Sequence, residues 1–194
     1  MAHVRLMVMA GSARAGSFNK RLARLAAVMA VEAGLEATFV DLADFPMPLY
    51  DGDDEATAGP PPNARKLLDT MMAHHGVLIV CPEYNASITP LLKNTLDWIS
   101  RLRIEGQAPN AVYRTRVFAL ASASPGGFGG LRGLTAVRSV LEIGLGAIVL
   151  PEQFALPKAN EAFGPDDRLV DKAVEKRLAE HIARLAHVAA ALKA

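Results

Sequence analysis

The sequence predicts an α/β fold, a doubly wound five-stranded parallel sheet with helices on both faces. Two observations carry that prediction. Short apolar runs alternate along the chain with longer amphipathic runs at helical spacing. The first apolar run, Val4 to Ala10, passes into a small polar loop, Gly11 to Asn19, that opens the first helical run. At 194 residues, 51% hydrophobic and 21% charged, the chain has the length and composition of one globular domain spanning 1–194.

Strands are expected near 3–9, 36–40, 76–81, 115–121 and 146–150, and helices near 17–33, 61–74, 89–101, 128–144 and 167–191. In the first helix Leu22, Leu25, Ala26 and Met29 recur at helical spacing. Thr89-Pro90 opens the third, with proline at its first position, and Leu91, Leu92, Thr95, Leu96 and Ile99 follow on one face. Five strands with a phosphate-sized loop after the first fit the flavodoxin-like order 2-1-3-4-5. In that order ligands lie outside the carboxyl ends of the strands, where the winding reverses. The loops after the first, third and fourth strands then meet in space. Two stretches break the rhythm. Residues 41–63 hold Pro46, Pro48, Pro60, Pro61, Pro62 and the acidic run Asp51 to Glu55, and read as a long, partly mobile surface loop with solvated carboxylates. Residues 151–166 read as irregular.

The first loop has the chemistry of an anion site. Small residues leave backbone N–H groups free, and the following helix adds its positive dipole end. Ser12, Ser17 and Asn19 offer hydroxyl and amide donors, and Arg14 a guanidinium fork. The loop fits neither common nucleotide motif. Ala13 stands where G-x-G-x-x-G needs its second glycine, and Gly16-Ser17 lacks the Walker lysine. That donor set suits a monophosphate such as that of FMN.

The third strand ends in Pro82-Glu83-Tyr84-Asn85, an aromatic ring beside an amide at the binding edge of the sheet, suited to a flat heteroaromatic ligand. The fourth ends in Ser122-Ala123-Ser124-Pro125-Gly126-Gly127-Phe128-Gly129-Gly130, whose glycines allow backbone to approach a ligand.

Other features narrow the function. Lys and Arg at 21 against Asp and Glu at 20 argue against a nucleic-acid platform. One cysteine, Cys81, excludes an internal disulfide and a cysteine-based zinc site, and its apolar setting predicts a buried, inert thiol. No apolar stretch approaches the roughly 18 residues of a membrane span, and no signal peptide is evident, so a soluble cytoplasmic protein is expected. His3, His74, His75, His181 and His187 form no metal-ligand or triad pattern, and His74 and His75 read as cations at a helix end.

Three segments resemble the NAD(P)H-dependent FMN reductases of the flavodoxin-like superfamily, which include quinone, chromate and azo reductases. They are GSARAGSFNKRLA at 11–23, PEYNASITPLLKNTLDW at 82–98 and SASPGGFGGLR at 122–132. The resemblance implies that Ser12, Arg14, Ser17, Phe18 and Asn19 hold the FMN phosphate. It places Pro82, Glu83, Tyr84 and Asn85 against the isoalloxazine and ribityl chain, and Ser122, Gly126 and Gly127 at the flavin's other edge. It further implies a homodimer or homotetramer, with Arg101, Arg103 and Trp98 as candidates for the subunit contact, although Trp98 suits the core equally.

The implied activity is hydride transfer from NADPH or NADH through flavin N5 to a small-molecule acceptor: a quinone, azo compound, chromate or free flavin. The cofactor carries that chemistry, so no catalytic side chain and no metal is expected. The alternatives are a flavodoxin-type electron carrier, which the near-neutral charge disfavours, and a non-catalytic FMN-binding regulatory module.

Overall fold

Five parallel strands build the centre of the molecule in the order β2-β1-β3-β4-β5. They are β1 (Arg5–Ala10), β2 (Glu36–Asp41), β3 (Gly76–Val80), β4 (Val117–Ala123) and β5 (Ile148–Leu156). The computed structural model describes residues 4–192, so the expected strand start at residue 3, and His3 with it, lie outside the described residues.

Side chains alternate across the sheet with period two, and the two faces carry separate cores. On one face Leu6, Val8, Leu78, Val80, Ala119 and Phe154 meet α1 (Phe18–Glu32) and α7 (Lys172–Leu192). On the other, Met7, Met9, Val77, Ile79, Phe118 and Leu120 meet α3 (Pro62–Met72), α4 (Pro90–Arg101), the short α5 (Ala111–Arg114) and α6 (Leu131–Ser139). The middle strands are buried on both sides, which is why they read as continuous apolar runs.

The stretch expected as a mobile acidic loop is instead structured and pinned. Asp51 accepts from the Asp53 amide at 2.8 Å and caps α2 (Gly52–Ala58). Glu55 accepts the Tyr50 hydroxyl at 2.9 Å and pairs with Arg101 at 2.8 Å. Pro48 takes the indole N–H of Trp98 and the amide of Asn94, each at 2.8 Å. Trp98 is 1% exposed with Tyr50 edge-on above it, so it belongs to the core and not to a surface contact. Local charge pairing and capping make this segment, and neither leaves a hydrophobic period to read.

Two further boundaries differ from expectation. β5 continues through Pro151 to Leu156, with a bulge where Phe118 faces Val149 but Leu120 faces Gln153. An edge strand tolerates the missing proline N–H at such a bulge. The fourth expected helix, 128–144, starts later, as α6 at Leu131, and reaches its expected end as a π-helical turn at Val140–Gly144. At the end of α3 the two histidine rings also make specific hydrogen bonds. The His74 ring spans Thr70 O at 2.6 Å and Thr38 Oγ1 at 2.9 Å, while His75 Nδ1 accepts the Arg5 amide at 2.9 Å.

β3 enters the sheet beneath α7 at Gly76, where an added Cβ would stand 3.0 Å from Leu6 and 3.1 Å from Leu185. Gly76→Val overpacks that crossing and is expected to destabilise the protein by about 1–3 kcal/mol, read from the denaturant midpoint.

Candidate functional site

The carboxyl ends of β1, β3 and β4 bring the three predicted loops together. The first loop is anchored at Gly11, whose N–H donates to Val80 O at 2.9 Å and whose carbonyl accepts the Thr89 hydroxyl at 2.8 Å. Thr89 also caps α4 through the Leu92 amide, so one side chain sets the first loop and the helix after the second. Ser17 caps α1, accepting from the Lys20 amide at 3.4 Å. Ser12 Oγ accepts the Arg14 amide at 3.3 Å. Among the described residues the amides of Ala13, Ala15 and Gly16 donate to no other group of the chain. Phe18 and Asn19, at the first helical positions, likewise have no intrahelical acceptor. Arg14 is exposed and, among the described residues, has no carboxylate partner. The loop therefore presents unspent N–H groups, two hydroxyls, a helix dipole and one unpaired guanidinium.

Asn19 works differently from the donor expected of it. Its Nδ2 donates to Ala123 O at 2.8 Å and its Oδ1 accepts from Ala123 N at 2.9 Å, both buried. The amide ties the start of α1 to the end of β4, fixing the first loop against the third.

In the second loop Tyr84 and Ser87 exchange backbone hydrogen bonds of 3.1 and 3.0 Å around Asn85 and Ala86. Both central residues have positive φ, 50° and 61°, the geometry of a type I′ turn. The turn leaves Tyr84 53% exposed. Glu83 points the other way, to Arg132 Nε at 2.8 Å and the Gly133 amide at 3.1 Å. Burial works to raise the Glu83 pKa, and the Arg132 and Gly133 hydrogen bonds overcome it, holding the carboxyl below its ordinary value. Just before this loop, burial pushes the Cys81 thiol up to about 11, in line with the expected inert cysteine.

The third loop is held by Ser124, whose amide donates to Leu156 O at 3.1 Å and whose carbonyl accepts the Ala159 amide at 3.1 Å. Ser122 is fully buried and gives its hydroxyl to Gly129 O at 2.6 Å. The glycines this loop requires are Gly129 and Gly130, both at positive φ. A Cβ on them would lie 2.7 Å from the Leu156 backbone and 2.9 Å from Ser122.

Between the loops lies a cleft of about 150 Å³ lined by Ser12, Arg14, Ser17, Phe18, Asn19, Pro82, Glu83 and Tyr84, with Ala123, Ser124 and Pro125. Of the other predicted residues, Ser122 lies beneath the cleft, while Asn85, Gly126 and Gly127 are exposed beside its lining. Residue-by-residue reading missed Lys20, Thr89, Ser124 and Pro125. Thr89 was visible only as a helix cap. A larger groove of about 670 Å³ lies at the opposite, amino-terminal edge of the sheet between α1 and α7, but its lining is chiefly apolar, from Val4, Met29, Leu35, Ile182 and several alanines, with Glu36 and His187 as its polar side chains.

Two outcomes follow from this geometry. Ala86→Gly removes a left-handed alanine and is expected to add about 1 kcal/mol of stability in chemical denaturation. The Glu83 carboxyl, lowered in the folded state, contributes stability above its unfolded pKa of about 4.3 and loses that contribution as pH falls through the lower folded value. The stability gap between wild type and Glu83→Gln should be full at neutral pH and shrink on acidification, as read by unfolding at a series of pH values.

A family model described as NADPH-dependent FMN reductase matches residues 4–161. A probable NADPH:quinone oxidoreductase 2 from Oryza sativa is 34% identical over 188 residues, covering 94% of this chain and 87% of the rice protein. A quinone reductase from Pseudomonas putida is 34% identical over 166 residues, covering 85% and 84%. Among solved structures, the flavoenzyme NAD(P)H:(acceptor) oxidoreductase FerB from Paracoccus denitrificans superposes with a TM-score of 0.78 at 26% identity, covering 96% of this chain and 97% of FerB. With its strand order, its loop geometry and this match across most of its length, the chain belongs to the NADPH-dependent FMN reductase family.

Proposed function

We propose that the protein reduces quinones or similar small acceptors, such as azo compounds, chromate or free flavin, with electrons from NADPH or NADH, using FMN in the cleft between the three loops. The observation that carries this reading is the first loop, which offers free amides, Ser12, Ser17 and an unpaired Arg14 beside a helix dipole. That donor set fits the phosphate of FMN. The cleft volume suits the phosphate end, and Tyr84 and the Ser124–Pro125 backbone, on the second and third loops, would hold the flat ring system.

When bound, FMN supplies the hydride chemistry between nicotinamide and acceptor. The chain's own residues bind and orient it. Arg14 offsets phosphate charge, Asn19 keeps the first and third loops in register, and Glu83 holds the second loop against α6 through Arg132.

The named relatives support the acceptor class, the rice protein being described as a probable NADPH:quinone oxidoreductase and the Pseudomonas protein as a quinone reductase. The reading extends to a cytoplasmic homodimer or homotetramer. Exposed apolar side chains beside the loops, Tyr84, Phe128 and Leu131, and a single unpaired cysteine support it. Among the described residues no helix is long and apolar enough to cross a membrane.

Arg14→Ala removes the unpaired guanidinium and is expected to weaken FMN binding by about 1.5–3 kcal/mol in equilibrium titration. Purified protein with FMN should oxidise NADPH when a benzoquinone is added. A protein that takes up no FMN, or whose bound FMN is not reduced by either nicotinamide, removes the proposal.

A further inference from the structure

Lys20 occupies the third position of α1, where a lysine ordinarily reaches water, yet it is 3% exposed. Its Nζ donates to the carbonyl of Ala13, in the middle of the first loop, at 3.0 Å. The same ammonium pairs at 2.8 Å with Asp41, at the end of β2. Asp41 also accepts the Ala43 amide at 3.0 Å and lies 3.6 Å from Arg24. Burial works to raise the Asp41 pKa, but the hydrogen bonds from Lys20 and Ala43 and the charges of Lys20 and Arg24 overcome it, so the carboxyl stays ionised against the ammonium.

The peptide unit is planar and trans, so the carbonyl of Ala13 and the amide of Arg14 point to opposite sides. With the carbonyl drawn inward to Lys20, the Arg14 amide turns outward, toward Ser12 Oγ and the cleft that Ser12 lines. A buried positive charge therefore stands directly behind the proposed phosphate loop, and it also sets which way the loop faces. We infer that Lys20 is a positioning residue for the phosphate of the cofactor: it orients the first loop and lends it charge from below, acting through Ala13 and not by direct contact. The inference rests on the FMN reading of the cleft.

The bland account of Lys20 is a strut joining α1 to β2. The two accounts differ in their dependence on phosphate. A strut that merely stabilises the fold affects FMN and riboflavin alike, because the two ligands differ only in the phosphate. A residue that serves the phosphate affects FMN alone.

The test is equilibrium titration of the protein with FMN and with riboflavin, for wild type, Lys20→Met and Lys20→Gln. The glutamine amide can still donate to Ala13 without the charge, and it carries the comparison should the methionine variant fail to fold by circular dichroism. Lys20→Met is expected to raise the Kd for FMN by about tenfold or more, the scale of one charge-assisted contact, and to leave that for riboflavin within about twofold. Its FMN binding should also depend less steeply on salt than that of wild type. Equal losses for the two ligands, or unchanged FMN affinity in a folded variant, overturn the inference. Wild type that binds neither ligand overturns the cofactor reading itself, whereas wild-type FMN binding with unaffected variants removes only the role of Lys20.

Discussion

The two hydrogen bonds between Asn19 and Ala123 are the constraint on which the cleft depends. β1 and β4 are not neighbours, since β3 lies between them, so the sheet ladder alone does not set the first loop against the third. The Asn19 amide spans that gap and satisfies both backbone groups of Ala123 at once. Each bond contributes about 1 kcal/mol in net terms, but losing the pair would leave buried donors and acceptors unmet, which costs more. Thr89 plays the corresponding part between the first loop and α4. Two short side chains thus turn three separate strand ends into one rigid rim.

Charge around that rim is arranged so that, among the described residues, an anion meets no free carboxylate. Glu83 borders the cleft but is bound by Arg132 and the Gly133 amide. Asp41, behind the first loop, is bound by Lys20 and lies beside Arg24. Arg14 is left unpaired among the described residues. A near-neutral chain can therefore hold a locally positive site, which is why the overall balance of 21 basic and 20 acidic residues says little about the cleft.

The strand order and the two-sided packing were legible in the sequence because they rest on long periodic signals that tertiary contacts reinforce. α1, β3 and α4 fall close to their expected bounds for that reason. α2 was not legible, since its seven residues are capped by Asp51 and held by the Glu55–Arg101 pair, with no buried face to produce a period. β5 runs six residues beyond its expected end at 150, into the stretch expected as irregular, because an edge strand absorbs Pro151 at a bulge, which no local period announces. Within the site, residue type announced the anion loop, but not which donors would be used internally. Asn19 and Ser122 look like ligand donors in a sequence and turn out to bind backbone, and Lys20 looks like a surface lysine and turns inward. Such choices depend on contacts between residues 7 to 104 positions apart, which no local pattern encodes.

Cys81 bears on the proposed acceptor class. Quinones add thiolates readily, so a cysteine at the end of β3, one residue before the second loop, is a hazard to a protein that handles them. Full burial and a pKa of about 11 leave almost no thiolate at neutral pH, and the thiol donates to the Pro82 carbonyl at 3.2 Å. The strand that delivers Pro82 and Tyr84 to the cleft thus keeps its sulfur behind the backbone, where an electrophile in the cleft does not reach it. A small, polarizable side chain fills the core there without offering a nucleophile to the site it supports.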